Sequence, residues 1–216
     1  MIHRHWGDLL LRAGLCPYCG VHQRICVCDV CGPIEDAPPL WALQHPTEVS
    51  RSKGTLRLAQ ACLPSMKVLV GESGSCFEPL ASRGVGGLGL VFPHPGSEPL
   101  ESADTTGVRE WVVLDGTWRK ARRMFLSNPW LQRLPAFHFR HPPASGYHIR
   151  KAPRADSLAT AEALAYLLAV VRPGLDLGPL ERAMAALVSR QLAVMPTQVR
   201  GRYGVSRRFD EPGDEP

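Results

Sequence analysis

The chain has 216 residues, of which 44% are hydrophobic and 21% charged, with 20 glycines and 20 prolines. That length supports one domain with a full core plus a small appendage, and the composition excludes a disordered, collagen-like or fibrous chain. The net charge of +5 favours polyanionic partners over basic ones, without by itself separating nucleic-acid binding from ordinary mild basicity.

Residues 1–37 read as a cysteine-rich head. Cys16, Cys19, Cys26, Cys28 and Cys31 crowd into it, leaving only Cys62 and Cys76 elsewhere. A C-x-x-C turn directs two thiolates at one ion, and Pro17 and Gly20 suit that turn because one fixes φ and the other permits positive φ. With nothing pointing to secretion, disulfides are disfavoured and one structural zinc is expected. Cys16, Cys19, Cys26 and Cys28 are the expected ligands, with Cys31 and His22 as spare candidates.

Beyond Gly32–Pro39 the pattern changes to short apolar strands alternating with helices. Strands are expected at Leu40–His45, Lys67–Val70, Leu88–Phe92, Glu110–Leu114 and Ala136–Arg140. Helices are expected at Ser52–Cys62, Thr117–Leu126, Leu158–Val171 and Leu180–Val194, and Gly74–Gly87 reads as irregular. In the helix Thr117–Leu126, Trp118, Ala121 and Phe125 fall on one face, and Thr117 is placed to cap it through its hydroxyl. This alternation predicts an α/β fold, a mainly parallel sheet with helices on both faces. The longest apolar run, around Leu164–Val171, is far short of a membrane span, and the first residues lack the apolar core of a secretory signal. A cytoplasmic protein without membrane association is expected. The end of the chain, from Asp210, reads as an acidic tail.

Three segments could carry chemistry. Asp115 falls at the carboxyl end of a strand and just before a helix, the edge where parallel α/β sheets bind ligands. Thr117 and Trp118 follow it, then Arg119, Lys120, Arg122 and Arg123, whose charges could meet phosphates. A turn aspartate followed by a core tryptophan explains the same pattern. The second segment follows the first strand: His45, Pro46 and Glu48, then Lys53 and Thr55. The third offers Arg150, Lys151 and Pro153, then Thr160 and Glu162 at a helix start, a natural anion site. No G-x-G-x-x-G after a strand, Walker A loop, H-E-x-x-H or G-x-S-x-G occurs, so dinucleotide, nucleotide-triphosphate, zinc-protease and serine-hydrolase readings lose support.

Taken together, the segments resemble the DTW-domain family. The residues that carry the likeness are the four cysteines, His45-Pro-x-Glu48, Lys53 with Thr55, Leu90-Val-Phe-Pro93, Asp115-x-Thr117-Trp118, Arg150-Lys-x-Pro153 and Thr160-x-Glu162-Ala163, in the family's order from about Cys16 to Val194. Bacterial members look like tRNA-uridine aminocarboxypropyltransferases. The resemblance implies transfer of the 3-amino-3-carboxypropyl group of S-adenosylmethionine to N3 of a tRNA uridine. It also implies a SPOUT-like fold with a C-terminal trefoil knot; the expected division of the chain is a cysteine-rich head (1–37), a SPOUT-like catalytic domain (38–200) and a basic then acidic tail (201–216).

Under that resemblance Asp115 is the expected general base. His45, Glu48, Lys53, Thr55, Pro93, Thr117, Trp118, Arg150, Lys151, Thr160 and Glu162 are expected around the donor. Arg119, Lys120, Arg122 and Arg123 are expected on the tRNA. A monomer with no obligate protein partner is expected. Other S-adenosylmethionine-dependent RNA enzymes, including methyltransferases, and a non-catalytic zinc-ribbon RNA adaptor are the competing readings. Two positions depart from the family: Gly54 stands where an asparagine is usual, and Ala159 where a serine is usual. The second change removes the side-chain half of a capping box with Glu162.

Overall fold

A computed structural model describes residues 14–147, 149 and 158–200. Six strands form one sheet: β1 (Leu40–Gln44), β2 (Lys67–Val70), β3 (Leu88–Val91), β4 (Glu98–Pro99), β5 (Glu110–Asp115) and β6 (Ala136–His138). They lie in the order β2-β1-β5-β3-β6-β4. Every pairing is parallel. All carboxyl ends therefore open on one edge.

The central strands read as nearly continuous apolar runs because both their faces are covered. Each residue of β1 is buried. Leu40 and Ala42 pack into one core and Trp41 and Leu43 into the other, as the two-residue period of a strand requires. The first core is closed by α1 (Leu56–Cys62), α4 (Thr160–Val171) and α5 (Gly178–Val194), and the cysteine head contributes Cys19, Val21 and Val27 to it. The second is closed by α2 (Glu78–Ala81) and α3 (Trp118–Ser127), through Phe77, Leu80, Ala121, Met124 and Phe125. Helices on both faces of a parallel sheet are the architecture the alternation predicts.

Local differences have local causes. The Glu98–Pro99 strand was not expected. It is two residues long, and its proline can occupy only a sheet edge, where it pairs with His138. Gly74–Gly87 is not uniformly irregular, since Gly74–Phe77 forms a 3-10 turn leading into α2. Thr117 is the N-cap of α3, but its hydroxyl makes no capping bond. Trp118 is not on the buried face of α3: it is 58% exposed, and Met124 takes the third core position. At the other end of α3 the side chain of Asn128 donates to Met124 O at 2.6 Å and to Glu72 O at 2.9 Å, which closes the helix before Pro129. No helix among the described residues is long and apolar enough to cross a membrane.

Candidate metal centre and candidate active site

The head folds back on itself. Leu15 pairs with His22 as an antiparallel bridge, Gly20 N–H donates to Cys16 O at 2.9 Å, and Gly20 adopts φ 72°, the left-handed turn its lack of a side chain permits. This knuckle brings the sulfurs of Cys16, Cys19, Cys26 and Cys28 within 4.8 Å of one another. Cys16 and Cys28 sulfurs are 3.6 Å apart, and those of Cys19 and Cys26 are 3.7 Å apart. Four thiolates at the Zn–S bond length of about 2.3 Å, placed tetrahedrally, would stand about 3.8 Å apart, so the donor set fits zinc. Burial raises the Cys16 pKa, but hydrogen bonds from the Cys19 and Tyr18 backbone and from neighbouring thiols outweigh it and bring Cys16 down to about 7. Cys31 turns away from the cluster: its thiol is pushed up chiefly by a hydrogen bond with Cys62. His22 is also excluded from the cluster, its ring accepting Arg24 N–H at 3.2 Å. Arg190 of α5 fastens the head, with a bidentate pair to Asp29 at 2.7 and 2.6 Å and a bond to Cys26 O.

At the carboxyl edge, Asp115 is 9% exposed at the end of β5. Gln44, at the end of neighbouring β1, donates its Nε2 to Asp115 Oδ2 at 2.9 Å. Thr160, the first residue of α4, donates its hydroxyl to Asp115 Oδ1 at 2.6 Å. These two donors fix the orientation of the Asp115 carboxylate. Thr55, 2% exposed, accepts Ala161 N–H at 3.0 Å, so the start of α4 is held by both Thr55 and Asp115.

Glu162 accepts Ala159 N–H and the Ser145 hydroxyl at 2.7 Å, and Gly146 N–H at 2.7 Å and Tyr147 N–H at 3.0 Å. The glutamate half of the capping box thus survives the alanine at 159, and the same carboxylate joins two distant stretches of chain. Lys53 reaches the same region, donating to Ile149 O at 3.4 Å. Arg150 and Lys151 lie outside the described residues.

His45, 6% exposed, is locked. Its Nδ1 accepts Thr47 N–H at 3.2 Å, which leaves the proton on Nε2, 2.7 Å from Glu72 Oε1. Glu48 pairs with Lys120 at 2.6 Å and Arg51 at 3.4 Å. The basic cluster of α3 therefore splits. Lys120 bonds inward to Glu48 and Thr47, and Arg123 lies 3.4 Å from Glu72. Arg119 and Arg122 are exposed and enter no ion pair among the described residues. Trp118 stacks on Phe92 with ring centroids 5.2 Å apart, just before exposed Pro93 at the end of β3. Glu72 was not singled out in the sequence, and Phe92 entered only within the Leu90-Val-Phe-Pro93 block, without a role of its own. A carboxylate and an aromatic ring immediately after the ends of β2 and β3 were the available signals.

A cavity of about 630 Å³ lies elsewhere, between residues 33–36 and 171–176, at the far end of α4 from Thr160. Its walls carry Glu35, Asp36 and Asp176 against one cation, Arg172, a poor match for a polyanion.

The DTW domain family model matches residues 13–192. Over 82% of this chain and 63% of the relative, the sequence is 27% identical to tRNA-uridine aminocarboxypropyltransferase 2 of Macaca fascicularis. It is 29% identical to the protein of that name from Mus musculus over the same shares, and 32% identical to that from Drosophila melanogaster over 74% of this chain and 67% of the relative. The chain spans a little under two thirds of the first two relatives' length. No solved structure matches it. The cysteine cluster, the Asp115-x-Thr117-Trp118 strand end and the family match coincide over one stretch of sequence: this chain belongs to the DTW-domain family.

Proposed function

We propose that the chain is a tRNA-uridine aminocarboxypropyltransferase, moving the 3-amino-3-carboxypropyl group of S-adenosylmethionine to N3 of a tRNA uridine, with the N3 proton lost and methylthioadenosine released. The observation that carries this reading is the junction at Asp115, where β1, β5 and α4 converge on one oriented carboxylate beside a basic helix and an exposed tryptophan stacked on buried Phe92. The named relatives point to the same reaction class and to tRNA.

The sulfonium donor offers three electrophilic carbons, so choosing the aminocarboxypropyl carbon is a matter of positioning. Uridine N3 is a poor nucleophile until it loses its proton. Asp115 is the group that takes it, held in place by Gln44 and Thr160. Trp118, with Phe92 behind it and Pro93 beside it, forms a flat apolar wall for the donor. Thr117 joins that wall to the strand end. Arg150 or Lys151 pairs with the donor carboxylate. Glu162, Thr55 and Lys53 hold the backbone around α4 that frames this position, and His45 with Glu48 does the same beside β1. Arg119 and Arg122 meet tRNA phosphates directly, and Lys120 and Arg123 add to the same positive field. Four thiolates would fill zinc's coordination, so the head's role is folding and RNA docking, not chemistry. The division into head (1–37), catalytic domain (38–200) and tail (201–216) belongs to the same reading.

The test uses unmodified tRNA and donor labelled either in the aminocarboxypropyl carbons or in the methyl group, followed by nucleoside analysis. Label from the first donor alone should enter a uridine. Label from the methyl donor would assign a methyltransferase, and no label with retained RNA binding would assign an adaptor.

A further inference from the structure

Two buried polar atoms have no hydrogen-bond partner among the described residues: Gln44 Oε1 and Arg57 Nε. A buried polar atom left without a partner is destabilising, so a native chain rarely tolerates one, still less two in the walls of one cavity. Both residues line one cavity of about 10 Å³, walled also by Gly20, Glu48, Gly54 and Leu56. One water needs ~10–15 Å³ and two or more polar partners. Gln44 is only 3% exposed, so its orphaned oxygen cannot be satisfied by bulk solvent.

We propose that a single structural water occupies this cavity, accepting a hydrogen bond from Arg57 Nε–H and donating one to Gln44 Oε1, and that it thereby sets the direction of the Gln44 amide. The proposal rests on the reading of Asp115 as the working carboxylate. The directional argument is simple. An arginine can only donate. A water held by Arg57 must present its oxygen to the guanidinium and a hydrogen to Gln44. Gln44 must then turn its own oxygen toward the water and its Nε2 toward Asp115, which is the orientation found at 2.9 Å. A reversed amide would set an oxygen against the Asp115 carboxylate. Gln44 and Arg57 are thus positioning residues for Asp115.

The same chain of contacts reaches the metal knuckle. Gly20 presses directly on Arg57: a Cβ at position 20 would lie 2.4 Å from Arg57 Cβ and 2.8 Å from its Cγ. The turn that follows Cys19 therefore fixes where the Arg57 stem lies, and through the water it influences Asp115. This gives the head a route to the reaction that needs no open coordination position on zinc.

The test combines a high-resolution crystal structure of the full chain with a cycle of Arg57→Met, Gln44→Met and the double variant, each checked for zinc content. The crystal structure should show one ordered water within hydrogen-bond reach of both atoms. Each single variant should lower kcat about tenfold, with KM for donor and tRNA unchanged, because the carboxylate is misaligned and not lost. The double variant should be no worse than the poorer single one, in both kcat and Tm, because one bridge is removed only once. A dry cavity, or Gln44 Oε1 bonded to another group, would overturn the proposal, as would losses in Tm that add. Should wild-type protein prove inactive on tRNA, the functional reading falls alone, since the ordered water and the Tm cycle still decide the bridge. Should Arg57→Met lose zinc, Arg57→Lys, which keeps the stem and charge but lacks the Nε–H, takes its place in the cycle.

Discussion

The cysteine head and the carboxyl edge of the sheet are built in opposite ways. Four sulfurs of the head come from thirteen consecutive residues and meet because one glycine turn folds a short segment back on itself. The residues around Asp115 come from β1, the start of α1, β5 and α4, which together span more than a hundred residues of sequence and meet only when the sheet has formed. A local site can be assembled by its metal alone, whereas a distributed site inherits its geometry from packing. The two should therefore break differently.

The largest expected effect is in the head. Cys19→Ser places a poorer ligand at a fully buried position, and small zinc modules tie about 10 kcal/mol or more of metal-binding free energy to folding. Metal content by mass spectrometry should fall and thermal unfolding should lose its cooperativity, and a strong chelator should reproduce both in the wild type. A Cys19→Ser protein as stable as wild type in the presence of chelator would mean that packing, not metal, holds the head.

Trp118→Ala should do the reverse. The ring is mostly exposed and, among the described residues, stacks on Phe92 alone, so Tm should move little, a loss of about 1 kcal/mol or less. Loss of a stacking face costs ~1–3 kcal/mol, so KM for the donor should rise about tenfold or more. Equal losses in stability and donor binding would make Trp118 a packing residue.

Replacing Arg119 and Arg122 by alanine touches neither region's fold. RNA affinity should fall, and the slope of log K against log salt should flatten by about two, one for each phosphate contact removed. The same double change at Lys120 and Arg123 should also cost stability, because those cations pair with Glu48 and Glu72. An unchanged salt slope would put the RNA on another face.

The smallest effect is expected at Glu101, which binds Arg140 N–H, His141 N–H and the Tyr166 hydroxyl and so fastens the segment after β6 to α4. Burial works to raise its pKa, but those donors and its own backbone prevail and hold it at about 2, below its ordinary 4.5. A depressed carboxylate adds stability that is complete above its unfolded pKa and disappears as pH falls toward the folded one. Between about pH 4.5 and 2 the wild type should therefore lose an increment of stability that Glu101→Gln lacks throughout. Acid titrations of unfolding that run parallel for the two proteins would show that these bonds carry no net stability.

The contrast also explains what the residues alone could reveal. The head was legible because its four clustered cysteines lie within thirteen residues and its turn glycine is diagnostic, whereas only the structure sends Cys31 to Cys62. The sheet was legible because β1 and β5 are buried apolar runs of strand length. Asp115 stood out as a polar residue at a strand end. Its partners did not, because nothing in the sequence tells that Gln44 and Thr160 turn toward the same carboxylate. Trp118 misled for a related reason: helical periodicity gave it a core position, but the stack with Phe92 at the strand end holds it outside. The Glu98–Pro99 strand was illegible because two residues carry no period.

The most direct measurement of where the chemistry resides is the transfer rate of Asp115→Asn, a change that preserves shape and removes the charge. The variant should fold, keep its zinc and bind tRNA with unchanged salt dependence, yet transfer at a rate lower by about a hundredfold or more. Wild-type turnover by a folded, zinc-loaded Asp115→Asn protein would contradict the assignment of the reaction to this carboxylate.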